Sequence, residues 1–397
     1  MHDNDEIETP TQEDVRADLR SLFLAAIRAT LEALLQEEVR EMVGAQRGRR
    51  VSGRRDYRNG TYERGLVTSM GALDVTVPRT RRNGSPIGVL GRYARRTDDV
   101  DATIVSSYVN GVSTRKVSNL TETLMGHEVS KSAVSRVTKS LQQRVDELKK
   151  APIAGPIPYL YLDATFLDAR WARTVENVSA LVAYGVGQDG HRRLLGITIG
   201  AQEDEASWAE LLAQLNERGL SGVRLVIADG HVGLAAAVRR HLGEAVQQRC
   251  IVHLERNVLA KAPQKVRGRL ARELAAIFNA ASLNDAKKKL AATKLAFGKL
   301  VPEAIECLAE GFTAATRFFA FPKAHWKKIR STNGLERLHG EIKRRIRVVG
   351  AFPDRASALR LITAVALDVT NIWSDRRYLD MDLLPELVQT GKEENAA

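Results

Sequence analysis

The chain has 397 residues, with 60 Lys or Arg against 48 Asp or Glu, a formal net charge of +12, and 44% hydrophobic content. That length suits two or three domains with cores of their own. No run of eighteen apolar residues is present to span a bilayer, two cysteines cannot build a disulfide framework, and the acidic start MHDNDEIETP is not a secretory signal. A reducing cytoplasm is the expected setting.

The predicted elements follow in chain order. Residues 1–15 read as a disordered tail. From Asp18 to Val43, apolar residues at Leu22, Phe23, Ile27, Leu31, Leu34, Leu35, Val39 and Met42 keep helical spacing, and Gly44 stops the run. This helix is either a core element or a dimer seam. Residues 46–58, rich in Arg and Gly, are expected to be a mobile basic linker. A small β unit follows, in which Leu73, Val75 and Val77 alternate with Asp74 and Thr76 until Pro78 ends the run.

Three helices are predicted between residues 101 and 150: DATIVSSYVNG, then STRKVSNLTETLMG between an N-cap at Ser113 and a stop at Gly126, then SKSAVSRVTKSLQQRVDEL capped by Ser130. The short turn before the third gives a helix-turn-helix shape, with Arg115, Lys116, Lys131 and Arg136 as candidate DNA contacts. A plain helical hairpin would show the same pattern. APIAGPIP, residues 151–158, marks a domain boundary.

Beyond it, YLYLDATFL reads as a strand, and VSALVAYGVG and RRLLGITIG as two more joined at Asp189-Gly190. EASWAELLAQLNERGL is a helix, VRLVIADG a fourth strand, HVGLAAAVRRHLG a helix and VQQRCIV a fifth strand. Three strands in a meander, then helix, strand, helix and strand, is the order of a ribonuclease-H-like mixed sheet. Residues from Leu254 to Phe321 are wholly helical in pattern, and helical periodicity resumes from Thr332 to Gly350. The expected fold class is therefore α/β, with a mixed-sheet core, an all-helical insertion, and helical and small β elements ahead of it. The segments are 1–45, 46–100, 101–150, 158–254, 255–325, 326–380 and a tail over 381–397.

Acids stand at informative places in this order. Asp163 lies inside the apolar first strand, where a carboxylate is costly unless paired or bound to a cation. Asp168, five residues on, would face the other side of a continuous strand. Asp229 ends the fourth strand, which the sheet order makes a neighbour of the first. Two close carboxylates without a cysteine or histidine cage suit hard cations, Mg²⁺ or Mn²⁺.

A third acid is offered by STNGLERLHGEIKRR, as Glu336 or Glu341, which point about 140° apart on a helix. The flank of Glu336 holds Gly340, Lys343 and Arg347. Glu341 lies four residues from both Arg337 and Arg345, where a surface salt bridge accounts for it. Glu336 is therefore favoured. Between Lys323 and Gly350 there are nine Lys or Arg against two Glu, a basic surface suited to phosphate backbones. Arg337, Lys343, Arg344 and Arg347 are its candidate DNA contacts. Two ions on three carboxylates would support in-line phosphodiester displacement.

QRCIVHLERN places Cys250 two residues before His253. That is half a zinc site, with only Cys307 as a further cysteine, so a structural role near the acids is the main reading. His231, beside Asp229, either touches substrate or caps the following helix. The helical insertion carries Lys261, Lys265, Arg267 and Arg269 near its start, positions suited to clamping DNA.

These motifs together resemble those of the Mutator-like transposases of bacterial insertion sequences, the IS256 group. The resemblance runs in order through RNGTYERGLVTSMGALDVTVPRTR, GVSTRKVSNL, VSKSAVSRVTKSL, LDATFLD, ADGHVGL, QRCIVHLERN and STNGLERLHGEIKRRIRVVGAFPD. It implies a DDE transposase with N-terminal DNA-binding elements, its triad on Asp163, Asp229 and Glu336 and its Cys-x-x-His motif on Cys250 and His253. His339 departs from the Asn usual in relatives. Two divalent ions, Mg²⁺ or Mn²⁺, are implied as cofactors. The implied partners are the element's terminal inverted repeats, target DNA and a second copy of the chain. A circular intermediate and a nucleoid-associated location are expected too. The competing readings are a non-catalytic DNA-binding descendant, a nuclease of the same fold that cuts without joining, and a zinc-dependent regulator.

Overall fold

The apolar spacing predicted for residues 18–43 produces helix α1 (Gln12–Val43), which starts earlier than expected. The computed structural model describes residues 12–49, 51–86, 88–91, 94–171, 174–373 and 375–384, so most of the expected N-terminal and C-terminal tails lie outside the described residues. The chain divides into two units at Lys139/Ser140.

In the first unit, strands β1 (Arg58–Thr68) and β2 (Gly71–Thr80) form an antiparallel hairpin. Leu35 of α1 joins Leu66, Val75 and Val77 in one cluster over it. Pro78 does not end β2 as expected: it sits opposite Thr61 within the ladder. A two-stranded sheet is all edge, so the missing N–H of proline costs little there. Residues 46–58 are not simply a linker, because the Arg55 N–H donates to Val43 O and buried Asp56 ties the turn to residues 82 and 83.

Helices α2 (Asp98–Val109), α3 (Thr114–Met125) and α4 (Lys131–Val137) follow. Ser113 caps α3 by accepting from the Lys116 N–H, Gly126 closes it at φ 63°, and Ser130 caps α4 by accepting from the Ala133 N–H. The buried core here is Val100, Ile104, Val117, Val129 and Val134. The predicted third helix is split. A 3₁₀ turn at Thr138–Ser140 separates α4 from α5 (Leu141–Lys150), and the Thr138 hydroxyl donates to Ser135 O. Such back-bonding competes with a continuous helix. Because the two units divide in this turn, the segment expected as one DNA-binding region spans both.

The second unit is built on a five-stranded sheet: β3 (Tyr159–Trp171), β4 (Thr174–Val186), β5 (Arg192–Gly200), β6 (Leu225–Ala228) and β7 (Val246–Arg249). Its order is β5-β4-β3-β6-β7, antiparallel through β5, β4 and β3, and parallel from β3 to β6 to β7. The Asp189-Gly190 hairpin forms as predicted, with Gly190 at φ 78°. Helices α6 (Glu205–Glu217) and α7 (Val232–His241) cover one face, burying Trp208, Leu211, Leu215 and Leu234 against Leu160, Leu162, Leu181 and Val226.

The helical stretch comprises α8 (Ile251–Ala260), α9 (Gln264–Phe278), α10 (Leu283–Phe297), α11 (Pro302–Ala315) and the short α12 (Trp326–Ile329). Cys250 begins α8 as its N-cap residue rather than extending β7. Helix α13 (Asn333–Ile346) and α14 (Arg355–Thr370) lie against β3 on the sheet's other face, with α5 against α14. Both cysteines are free, and no helix among the described residues is long and apolar enough to cross a membrane.

Candidate active site

The period of two along β3 decides which face receives the acid. Leu160 and Leu162 enter the core beneath α6 and α7. Tyr161 points to the opposite face, where it stacks on Tyr184 with ring centroids 4.3 Å apart. Asp163 shares that parity and so lies on the side of α13. Asp168 takes the other parity, is exposed, and accepts from Asn177 at 3.1 Å.

The parallel register pairs Tyr161 with Ile227, and two further steps along both strands bring Asp163 level with Asp229. Gly334 lets the first turn of α13 approach the sheet, since a Cβ there would lie 2.5 Å from the Tyr184 hydroxyl oxygen. Glu336 follows on the next half turn.

Asp163 is 8% exposed and accepts one hydrogen bond, from the Ala164 N–H at 3.0 Å. Burial pushes its carboxyl up to about 7, and the negative charges of Asp229 and Glu336 add to the rise against the opposing His253. Asp229 is partly exposed and accepts from the Gly230 N–H at 2.6 Å. Glu336 meets Arg256 at 3.2 Å and His253 at 3.8 Å. The structure therefore brings Asp163, Asp229 and Glu336 into one electrostatic neighbourhood. Glu341 is elsewhere: it pairs with Arg344 at 2.8 Å and Arg345 at 3.9 Å, while Arg345 also holds Asp368.

Cys250 and His253 bridge the elements that carry the acids. The buried Cys250 Sγ accepts from the Thr332 N–H at 3.4 Å and hydroxyl at 3.5 Å, and the Ile251 N–H donates to Arg330 O. This fastens the start of α8 to the start of α13 and sets His253 beside Glu336. The Cys250 thiol pushes His253 up to about 9, and Asp229 and Asp163 act in the same direction against burial, although the ring's Nδ1 makes no hydrogen bond of normal geometry. His231 stands at the N-cap position of α7, but its side chain does not cap the helix.

Three further residues at the site escaped the sequence reading of roles. Glu203, in the loop after β5, is raised first by burial, then by the negative charge of Asp229, with His231 and His253 opposing. Its EDE surroundings look like surface. His339 lies one turn past Glu336 with Nδ1 3.5 Å from Asp163 Oδ2, and burial pushes it down to about 3, so it stands as a neutral imidazole. Its Nε2 is buried without a partner. Arg256 lies within QRCIVHLERN, and nothing in its spacing signals the pair with Glu336.

Arg337, Lys343 and Arg347 are exposed and form no ion pair among the described residues, whereas Arg344 is engaged by Glu341. Gly340 is exposed with open space around it. Arg115, Lys116, Lys131 and Arg136 are exposed on α3 and α4.

A family profile described as transposase, Mutator family, matches residues 2–376. The chain belongs to the Mutator family of transposases. Among its Mutator relatives, the transposase for insertion sequence element ISRM5 of Rhizobium meliloti (strain 1021) is 37% identical over 361 residues, covering 91% of each chain. The transposase for IS256 in transposon Tn4001 of Staphylococcus aureus is 34% identical over 385 residues, 96% of this chain and 97% of the relative. The IS1081 transposase of Mycobacterium tuberculosis (strain ATCC 25618 / H37Rv) is 36% identical over 374 residues, 94% and 88% of the two chains.

Proposed function

We propose that this Mutator-family transposase cuts and joins DNA at the ends of its own insertion sequence, with Asp163, Asp229 and Glu336 as its DDE triad. The observation that carries the reading is Asp163: a carboxylate buried in a central strand, raised to about 7, with two further acids adding to its repulsion. A cluster of this kind gains from a cation that offsets the negative charge. The sheet order β5-β4-β3-β6-β7 supports a ribonuclease-H-like core.

Asp163, Asp229 and Glu336 would supply an all-oxygen donor set of the kind that suits Mg²⁺ or Mn²⁺, with no nitrogen or sulfur ligand required of the histidines or of Cys250. Two such ions, when bound, would supply Lewis-acid activation of the attacking water or 3′-hydroxyl and stabilise the leaving oxygen. Among the described residues, no group of three or more His, Cys, Asp or Glu side chains is already arranged to hold a metal ion, and Glu336 is engaged by Arg256 instead. An exposed pair of this kind is worth about 1 kcal/mol or less, so a DNA phosphate can take over Arg256 and release the Glu336 carboxylate. Neutral His339 holds a polar group against Asp163 without adding charge. His253, raised to about 9 and therefore cationic near neutral pH, moderates the repulsion among the acids and would stand beside a phosphodiester brought to Glu336.

Arg337, Lys343 and Arg347 on the open flank of α13 would track the backbone, and Lys261, Lys265, Arg267 and Arg269 would clamp it. Arg115, Lys116, Lys131 and Arg136 of the α3–α4 pair would engage the terminal inverted repeat as a helix-turn-helix. Two ends have to be joined, so a homodimer is the working form. Leu19, Leu22, Phe23 and Leu34 of α1 are 48%, 65%, 54% and 48% exposed, which supports α1 as a contributor. Deleting α1 should leave a monomer in sedimentation, and an unchanged oligomer would remove it from that role. The expected route is a circular intermediate.

The test presents purified protein with an element end already carrying a free 3′-hydroxyl, plus target DNA and Mg²⁺. Joined products from wild type and none from Asp229→Asn are expected. Cutting without joining would favour the nuclease reading. Binding with neither would favour a non-catalytic DNA-binding protein.

A further inference from the structure

We propose that Arg249 holds the scissile phosphate, a role that rests on the DDE reading of the site. Arg249 ends β7, and the parallel register sets it beside Ala228, the residue before Asp229. Its guanidinium lies over Gly230: a Cβ on that glycine would be 2.6 Å from Nε, 2.8 Å from Cζ and 3.1 Å from one terminal nitrogen. A Cβ on Gly311 of α11 would come within 2.9 Å of the second terminal nitrogen and 2.5 Å of Leu254 Cδ1. Two glycines thus make the slot, and the slot ends beside Asp229.

Arg249 makes no ion pair or side-chain hydrogen bond among the described residues, and its Nε is buried without a partner. The nearby Asp229 carboxylate accepts instead from the Gly230 N–H. A partly desolvated guanidinium without a partner is costly, so the slot is better explained by a ligand than by packing. The planar fork suits two oxygens of one phosphate. Held there, the cation would stabilise charge on the non-bridging oxygens as the phosphodiester is displaced. Arg256 differs: it is exposed and already paired with Glu336, so it is not a second copy of this device.

The experiment uses the full chain, a duplex carrying the end of its own element, and Mn²⁺. Strand cleavage is measured under single turnover, DNA affinity by titration, Mn²⁺ binding by electron paramagnetic resonance, and folding by circular dichroism, for Arg249→Gln, Arg249→Lys and Asp163→Asn. Arg249→Gln should cleave on the order of 100-fold more slowly, with DNA affinity within about 3-fold of wild type. Arg249→Lys should regain about a tenth of the wild-type rate, because its point charge cannot form the fork. Mn²⁺ binding and folding should be unchanged in both.

Arg249→Gln cleaving within about 3-fold of wild type, beside an inactive Asp163→Asn, would overturn the role of Arg249 and leave the triad standing. Equal losses in both Arg249 variants together with lost Mn²⁺ binding or lost fold would also overturn it, by making the residue structural. Cleavage by Asp163→Asn would instead overturn the reading of the site on which the proposal rests.

Discussion

Two aspartates, one in each unit, have almost no solvent exposure and opposite chemistry. Asp56 is 0% exposed, yet it is shielded by its own loops and accepts from the backbone N–H groups of Tyr57, Arg82 and Asn83 at 2.7, 3.1 and 3.0 Å. Burial pushes its carboxyl up, but these hydrogen bonds outweigh that and hold it at about 2. Asp163 is 8% exposed, accepts from one N–H, faces two further acids and rises to about 7. Burial alone marks neither a site nor a structural role. What separates the two is whether the protein itself satisfies the charge.

The largest expected effect breaks the pair apart. Asp163→Asn should lower strand cleavage on the order of 10³-fold or more while leaving DNA affinity intact, because the lost interaction belongs to the transition state. Asp56→Ala should do the reverse, lowering the melting temperature and leaving the cleavage rate per folded molecule unchanged. Paired kinetic and calorimetric measurements check both. Loss of cleavage in Asp56→Ala with an unchanged melting temperature would sink the distinction.

A second effect is on stability against pH without metal. Asp163 has its folded value raised above the ordinary carboxylate range, so it costs stability as pH climbs from about 4 through 7. His253 is also raised, so its contribution is complete below about 6.5 and is lost as pH rises through 9. His339, pushed down to about 3, has the opposite sign and adds stability until about pH 6.5, so the net fall of the metal-free melting temperature should run from about pH 6.5 to 9. Asp163→Asn should flatten that fall and gain roughly 2–5 °C at pH 8. A steeper fall in the variant would contradict the environment assigned to Asp163.

Smaller effects refine the contrast. Cys250→Ser puts a shorter acceptor before the Thr332 N–H and hydroxyl, and should cost about 1–2 kcal/mol in urea unfolding. It should also lower the His253 titration followed by NMR. Glu341→Gln removes an exposed pair with Arg344 and a longer one with Arg345, which keeps Asp368, so its urea midpoint should stay close to wild type.

Much of this was legible in the sequence, for local reasons. The strand order followed from the meander and the alternating helices. The side of Asp163 followed from strand parity, and the placement of Glu336, rather than Glu341, near the other two acids followed from helix angles and the basic neighbours of Glu341. What was not legible depends on distant contacts or on small energetic differences. Glu203 sits among acids that look solvated, and only its burial beside Asp229 and His231 distinguishes it. The slot for Arg249 needs Gly230 and Gly311, separated by some eighty residues. The break at Thr138–Ser140 lies inside a strongly helical pattern, with only Ser135, Thr138 and Ser140 to mark it. Pro78 was misjudged because the sequence does not reveal that its sheet has only two strands.

The central claim is that the acids of β3, β6 and α13 act together on DNA, with Glu336 rather than Glu341 as the third. The most direct measurement amplifies across abutted element ends in cells carrying the gene between its own termini, comparing wild type with Glu336→Gln and Glu341→Gln. Circle junctions in wild type and Glu341→Gln, and none in Glu336→Gln, are the predicted result. Junctions that persist in Glu336→Gln would contradict the claim.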